Sequence, residues 1–122
     1  MRKEVDVPLD QAGDVVGPFP SGAPAICADQ AARLGHTVGF LGACGKDGFG
    51  DCLGNRFEAD GVDASAVVRV EGLATGCAFV TYFADGERMF IFHIANSAAG
   101  QLPDPTPDQF QGVKWLHICG ST

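Results

Sequence analysis

A chain of 122 residues has room for one modest core, and 46% hydrophobic against 19% charged residues is a globular composition rather than a disordered one. No apolar run approaches the roughly 20 residues needed to cross a bilayer. The net charge of −7 disfavours nucleic acid and anionic membranes as partners, so a ligand must be held by local chemistry.

The N-terminal stretch MRKEVDVPLD has two basic residues, but not the apolar segment of about 7–15 residues that makes a secretory signal. A cytoplasmic location is therefore expected. The five cysteines, at 27, 44, 52, 77 and 119, are odd in number and contain no C-x-x-C pair, so they predict reduced and mostly buried thiols rather than disulfides or a zinc site.

Val5, Val7 and Leu9 alternate weakly before Gly13, Gly17, Pro18 and Pro20, which predicts a peripheral edge strand leading into turns. Ser21 can cap a helix, Pro24 suits its first turn, residues 25–34 are alanine-rich, and Gly35 stops it. Thr37 to Leu41 reads as a short buried parallel strand. A second helix is predicted over 51–60, with Leu53 and Phe57 on one face, Gly61 as the left-handed stop and Val62 folding back on the core.

From Thr75 to Ala95, two alternating segments flank the turn Ala84-Asp85-Gly86-Glu87, which predicts an antiparallel ribbon. Phe90, Phe92 and Ile94 fall on one face, and Met89, Ile91 and His93 on the other. With both faces apolar, the ribbon is expected to cover a ligand on one side and pack against a domain or a second subunit on the other. Pro107 to Gln111 predicts a helical turn and Val113 to Cys119 an apolar strand, which makes His117 a core histidine, whereas His36 should be exposed. No covering helix follows that strand and no central strand precedes residue 21, so the chain reads as truncated at both ends.

The glycine-rich stretch GFLGACGKDGFG (39–50) fails as a Walker loop, because Phe40 takes the place of the first glycine and Asp47 that of Ser/Thr. It also fails as a dinucleotide fingerprint, because Leu53 stands where the third glycine should be. The glycines read as turn formers, and the neighbouring charges Lys46 and Asp47 as a solvated pair.

Ser21-Gly22-Ala23-Pro24-Ala25 with Ala31-Ala32-Arg33-Leu34-Gly35 is similar to the GGAPAN...ALARLG signature of the PfkB (ribokinase-like) carbohydrate kinases. Phe40-Leu41-Gly42 through Gly45-Lys46-Asp47-Gly48-Phe49-Gly50 resembles that family's F-[IL]-G...GDDxFG, and Gly61-Val62-Asp63-Ala64-Ser65 resembles its GVDTS. Thr75-Gly76, Asp85-Gly86-Glu87-Arg88 and Ser97-Ala98 follow in the family's order. Each motif alone is weak, but their order makes a specific signal from Ser21 onward.

The resemblance implies an α/β fold, here a partial ribokinase-like three-layer domain over residues 1–122, with a peripheral antiparallel β-sheet lid at 75–95. It implies ATP-dependent phosphoryl transfer to a sugar hydroxyl, with ATP and Mg2+ bound mainly by residues beyond this chain. The implied substrate contacts are Ser21, Gly22, Ala23, Ile26, Phe92 and Ile94, and a homodimer through the lid is the implied partner. Glycine at 22 would let sugar hydroxyls reach backbone N–H groups with no Cβ in the way.

Three positions depart from the family: Ser21 replaces its first glycine, Ile26 the asparagine that bonds the sugar, and Ile94 the arginine of the lid. Ile26 cannot donate to a hydroxyl, which points away from an anionic or strongly hydrogen-bonded sugar and towards a different polyol or a nucleoside-like substrate. The family's catalytic DTxGAGD segment has no counterpart in the sequence, so the chain alone is expected to be inactive. A non-catalytic module that dimerises or binds partners through the ribbon is the competing expectation.

Overall fold

In a computed structural model, which describes residues 1–119, Gly22 opens the first helix, α1 (Ala23–Arg33), from a backbone conformation with φ 100° that glycine accommodates readily. Pro24 falls in the first turn, and the Ile26 N–H donates to the Gly22 carbonyl at 2.9 Å. Ser21 does not cap the helix as expected; no side chain does, because Gly22 occupies the cap position. The helix ends as predicted at Gly35, whose N–H bonds back to the Ala32 carbonyl.

The parallel strand lies further along than the sequence pattern suggests. Val38 to Phe40 makes only an isolated bridge, Gly39 to Asp63, and regular pairing begins at β1 (Gly42–Gly45) beside β2 (Val67–Val70). The reason is the Phe40 ring, which leaves the strand line to pack on Phe57 with centroids 4.8 Å apart. A Cβ on Gly42 would stand 2.5 Å from that ring, so the chain can pass it only as glycine.

Between these strands runs α2 (Gly48–Asp60), three residues longer at its start than predicted, because Asp47 rather than a later residue caps it. Gly61, at φ 75°, closes the helix, and the Val62 N–H returns to the Phe57 carbonyl at 2.9 Å, which drops Val62 into the core as expected. Ala25 and Ala28 of α1 meet Phe57 and Val62 there, with Leu53, Ala64 and Val67 around them. Small residues on α1 let the helices approach closely enough for Phe57 to be fully buried.

A second, separate sheet is the predicted ribbon, β3 (Cys77–Tyr82) antiparallel to β4 (Arg88–His93), in a register that pairs Cys77 with His93 and Tyr82 with Arg88. Its turn is closed by the Phe83 N–H to the Glu87 carbonyl, with Gly86 at φ 91°. Residues 1–16 form no strand, only a bridge between Arg2 and Val15, yet they do run at the periphery: the Arg2 and Asp6 N–H groups donate to the Val80 and Tyr82 carbonyls of β3. The Thr81 hydroxyl, fully buried, reaches the Val7 carbonyl at 2.9 Å.

Two expectations near the C-terminus part company. Pro107–Phe110 forms the predicted turn, as a 3-10 helix, but residues 113–119 pair with no strand among the described residues, so the expected strand is not there. Trp115 is 85% exposed and His117 is exposed, not a core histidine, since an apolar strand is buried only when a neighbouring strand and a covering layer exist. Gly120 to Thr122 lie outside the described residues. No described helix is long and apolar enough to cross a membrane. Among Cys27, Cys44, Cys52 and Cys77 only Cys44 is buried, which corrects the expectation of mostly buried thiols.

Candidate functional site

Ser21, Gly22, Ala23 and Ile26 stand together at the start of α1, all exposed. No atom lies within 4 Å of the point where a Cβ on Gly22 would sit, so the turn is open to an approaching molecule. Of the first N–H positions of α1, Pro24 has none and Ile26 donates to the Gly22 carbonyl, so those of the exposed Ala23 and the buried Ala25 are the ones that no side chain caps.

Phe92 and Ile94 lie on or just beyond β4, at 60% and 43% exposure. The Phe90 and Phe92 rings stack at 5.2 Å and 9°, as two residues on one face of a strand should. On the opposite face, Phe79, Ile91 and His93 line a cavity of about 380 Å³ with Arg2, Leu9 and Val15 of the N-terminal segment, and all three ribbon residues remain exposed. Neither that cavity nor the one of about 140 Å³ between α2 and β2 is lined by any of the six expected contact residues.

Sequence reasoning missed a carboxylate that accepts three hydrogen bonds. Lys46 and Asp47 do not form the expected solvated pair: Lys46 turns outward to Glu71, and Asp47 turns inward. One Asp47 oxygen, Oδ1, accepts from the Gly50 N–H at 2.8 Å and the Thr75 hydroxyl at 2.7 Å; the other, Oδ2, accepts from the Thr75 N–H at 2.7 Å. The Gly45 N–H in turn donates to the Thr75 hydroxyl oxygen at 2.9 Å. These bonds, led by that from the Thr75 hydroxyl, hold the Asp47 carboxyl down at about 2, against 3.8 ordinarily.

Glycine makes the cluster sterically feasible. A Cβ on Gly45 would fall 2.4 Å from the Leu73 carbonyl oxygen, and one on Gly50 would fall 2.4 Å from the Gly45 carbonyl oxygen. The pattern Asp-x-x-Gly at a helix start was the legible half of this signal. Thr75, 28 residues away, was not. Nearby, the Arg69 guanidinium pairs with Asp51 over Cys44, whose thiol is pushed up by burial.

A family model described as pfkB family carbohydrate kinase matches residues 10–122. Fructokinase from Salmonella typhimurium is 37% identical over 100 residues, covering 82% of this chain and 33% of the relative. The structure of a candidate ribokinase II from E. coli in complex with ATP and Mg2+ superposes with a TM-score of 0.76 at 48% identity, covering 81% of this chain and 31% of that one. Fructokinase from Xylella fastidiosa superposes at 0.60 with 43% identity, over 65% of this chain and 24% of that one. The chain thus spans about a third of the length of the relatives it matches.

Proposed function

We propose, from the premise that this chain belongs to the pfkB family of carbohydrate kinases, that it supplies the sugar-holding part of an enzyme that moves the γ-phosphoryl group of ATP to a sugar hydroxyl. Fructose is the first candidate sugar, since curated relatives from several organisms are fructokinases. The observation that carries the reading is the open Gly22 turn at the uncapped start of α1, where sugar hydroxyl oxygens can accept from backbone N–H groups. Ser21, Ala23 and Ile26 would border the sugar there. Phe92 and Ile94, on a ribbon acting as a lid over 75–95, would cover its carbon face and keep water from the transfer.

ATP and Mg2+ are part of this proposal, which assigns none of the described residues to them. Among them, no group of three or more His, Cys, Asp or Glu is placed to hold a metal ion, and both oxygens of Asp47 are already engaged by Gly50 and Thr75. What this chain's residues would do is bind and orient the sugar and exclude water. A cytoplasmic setting goes with that reading.

The test is calorimetric titration of the purified protein with a panel of ketoses, aldoses, polyols and nucleosides. Binding of one sugar, weakened in a Gly22→Ala variant, is the expected result. Absence of binding by every sugar in the panel would overturn the reading.

A second proposal is supported by the exposure of Phe90, Phe92 and Ile94, which leaves one face of the ribbon for a second copy of the chain. Sedimentation over a concentration series should then show a dimer that a Phe90→Ser, Phe92→Ser double variant loses. A monomer at every concentration would remove this proposal.

A further inference from the structure

The ribbon is joined to the α/β layer at two roots, residues 74–76 before β3 and residues 94–98 after β4. The second root is tied to the first: the Ala98 N–H donates to the Ala74 carbonyl at 2.8 Å, and Ser97 closes over Gly76, where a Cβ would be 3.0 Å from the Ser97 hydroxyl. Ser97 and Ala98 are buried although the strand they follow is exposed throughout. The first root is tied to the layer by the side chains of Asp47 and Thr75, while the 3-10 turn Ala98–Gly100 of the second lies against β1.

We infer that Asp47 is a positioning residue for the ribbon: by capping α2 through Gly50 and gripping Thr75 through both its N–H and its hydroxyl, it sets the direction in which β3 and β4 leave the layer. This inference rests on the reading of the ribbon as a substrate lid only for its consequence in catalysis. The anchoring itself stands on the geometry alone.

Three features argue for an anchor rather than an ordinary helix cap. A cap needs one acceptor, and Gly50 uses one; the remaining two bonds both go to a residue two positions before β3. The Thr75 hydroxyl passes the grip on by accepting from Gly45, the last residue of β1, so helix, strand and ribbon root converge on a single carboxylate and hydroxyl. Finally, Gly45 and Gly50 have no room for a Cβ, which keeps the three backbones at a separation the carboxylate can span.

Three substitutions separate the roles. In Asp47→Asn the retained carbonyl oxygen can still cap Gly50, because Asn and Asp cap about equally well, while the amide nitrogen would face the Thr75 N–H, donor against donor. Thr75→Val keeps the shape and loses the hydroxyl, and Thr75→Ser keeps the hydroxyl. Hydrogen exchange of the whole chain should show residues 75–82 and 88–98 exchanging faster by about 10-fold or more in Asp47→Asn and Thr75→Val, with α2 amides unchanged and Thr75→Ser close to wild type.

With a sugar ligand in hand, the same two variants should weaken its binding by about 10-fold in calorimetry, whereas a merely structural loss would lower the competent fraction and leave Kd alone. Unchanged ribbon exchange in Asp47→Asn, or α2 and ribbon loosening together, overturns the anchor. Altered ribbon exchange with unchanged sugar Kd supports the anchor and overturns its consequence for the sugar. Ribbon exchange altered in a protein that binds no sugar supports the anchor and counts against the sugar-holding reading instead.

Discussion

The Thr75 hydroxyl donates to the Asp47 carboxylate at 2.7 Å while its oxygen accepts from the Gly45 N–H at 2.9 Å, so a single hydroxyl joins the end of a strand to the start of a helix. Asp47 accepts at both oxygens, so a protonated carboxyl, with a donor on one of them, would lose at least one of its bonds to Thr75 or Gly50.

That dependence fixes a pH response. The folded state holds Asp47 at about 2 against 3.8 ordinarily, so its contribution to stability is fully present above pH 4 or so and is lost as the pH falls through about 2. Urea-unfolding midpoints measured across this range should fall more steeply for wild type than for Asp47→Asn. Parallel curves would show that the carboxylate contributes nothing to the acid response.

The glycines of the same cluster should differ sharply from their neighbours. Gly45→Ala and Gly50→Ala each drive a Cβ to 2.4 Å from a carbonyl oxygen, and the protein should not accumulate folded. Gly54→Ala, in the same helix, meets only the end of the Arg69 side chain at 3.8 Å and should stabilise by about 0.5–1 kcal/mol. Circular dichroism melts of the three variants check this, and equal behaviour would contradict the packing described for Gly50.

Phe57 is fully buried and packs at a tilt against Phe40, so Phe57→Ala should destabilise by about 3–5 kcal/mol. For a chain this small such a loss approaches the whole folding stability. Phe92→Ala, by contrast, removes a ring that is 60% exposed and should change the urea midpoint little.

Between the helices, Asp29 is buried with one oxygen lacking a partner, and burial followed by the nearby Asp60 pushes its carboxyl upward. Arg56 bridges this pair of acids, at 3.8 Å from Asp29 and 2.6 Å from Asp60, and Arg33 reaches Asp60 at 4.0 Å. Arg56→Ala should therefore cost about 1–3 kcal/mol, discounted for the arginine's partial exposure, whereas Asp29→Asn should be neutral or mildly stabilising. Denaturation of both at neutral pH checks the order, and a larger loss for Asp29→Asn would reverse the assignment.

Much of the layer was readable locally. Alanine spacing with Gly35 marked α1, Gly61 marked the end of α2, and the Ala84 to Glu87 turn marked the ribbon, because each of these depends on residues a few positions apart. The strand before α2 was read too early, since Thr37 to Leu41 has strand composition but Phe40 is claimed by Phe57 from another element. Val113 to Cys119 has strand composition as well, and with no partner strand among the described residues it stays exposed.

For the candidate site, the Gly22 turn was legible as a motif, and its openness followed from having no Cβ. The role of Asp47 was not, because a carboxylate beside a lysine looks solvated until Thr75 arrives from 28 residues away. Nor was the bonding of residues 1–16 to β3, since their own pattern predicts only an edge strand. The amino-acid order by itself determined the helices, the turns and the family, all set by short-range backbone preference and motif order. Only the tertiary structure decided which charge is buried, which glycines are obligatory and where the ribbon is held, because those depend on distances between segments that the chain brings together only when folded.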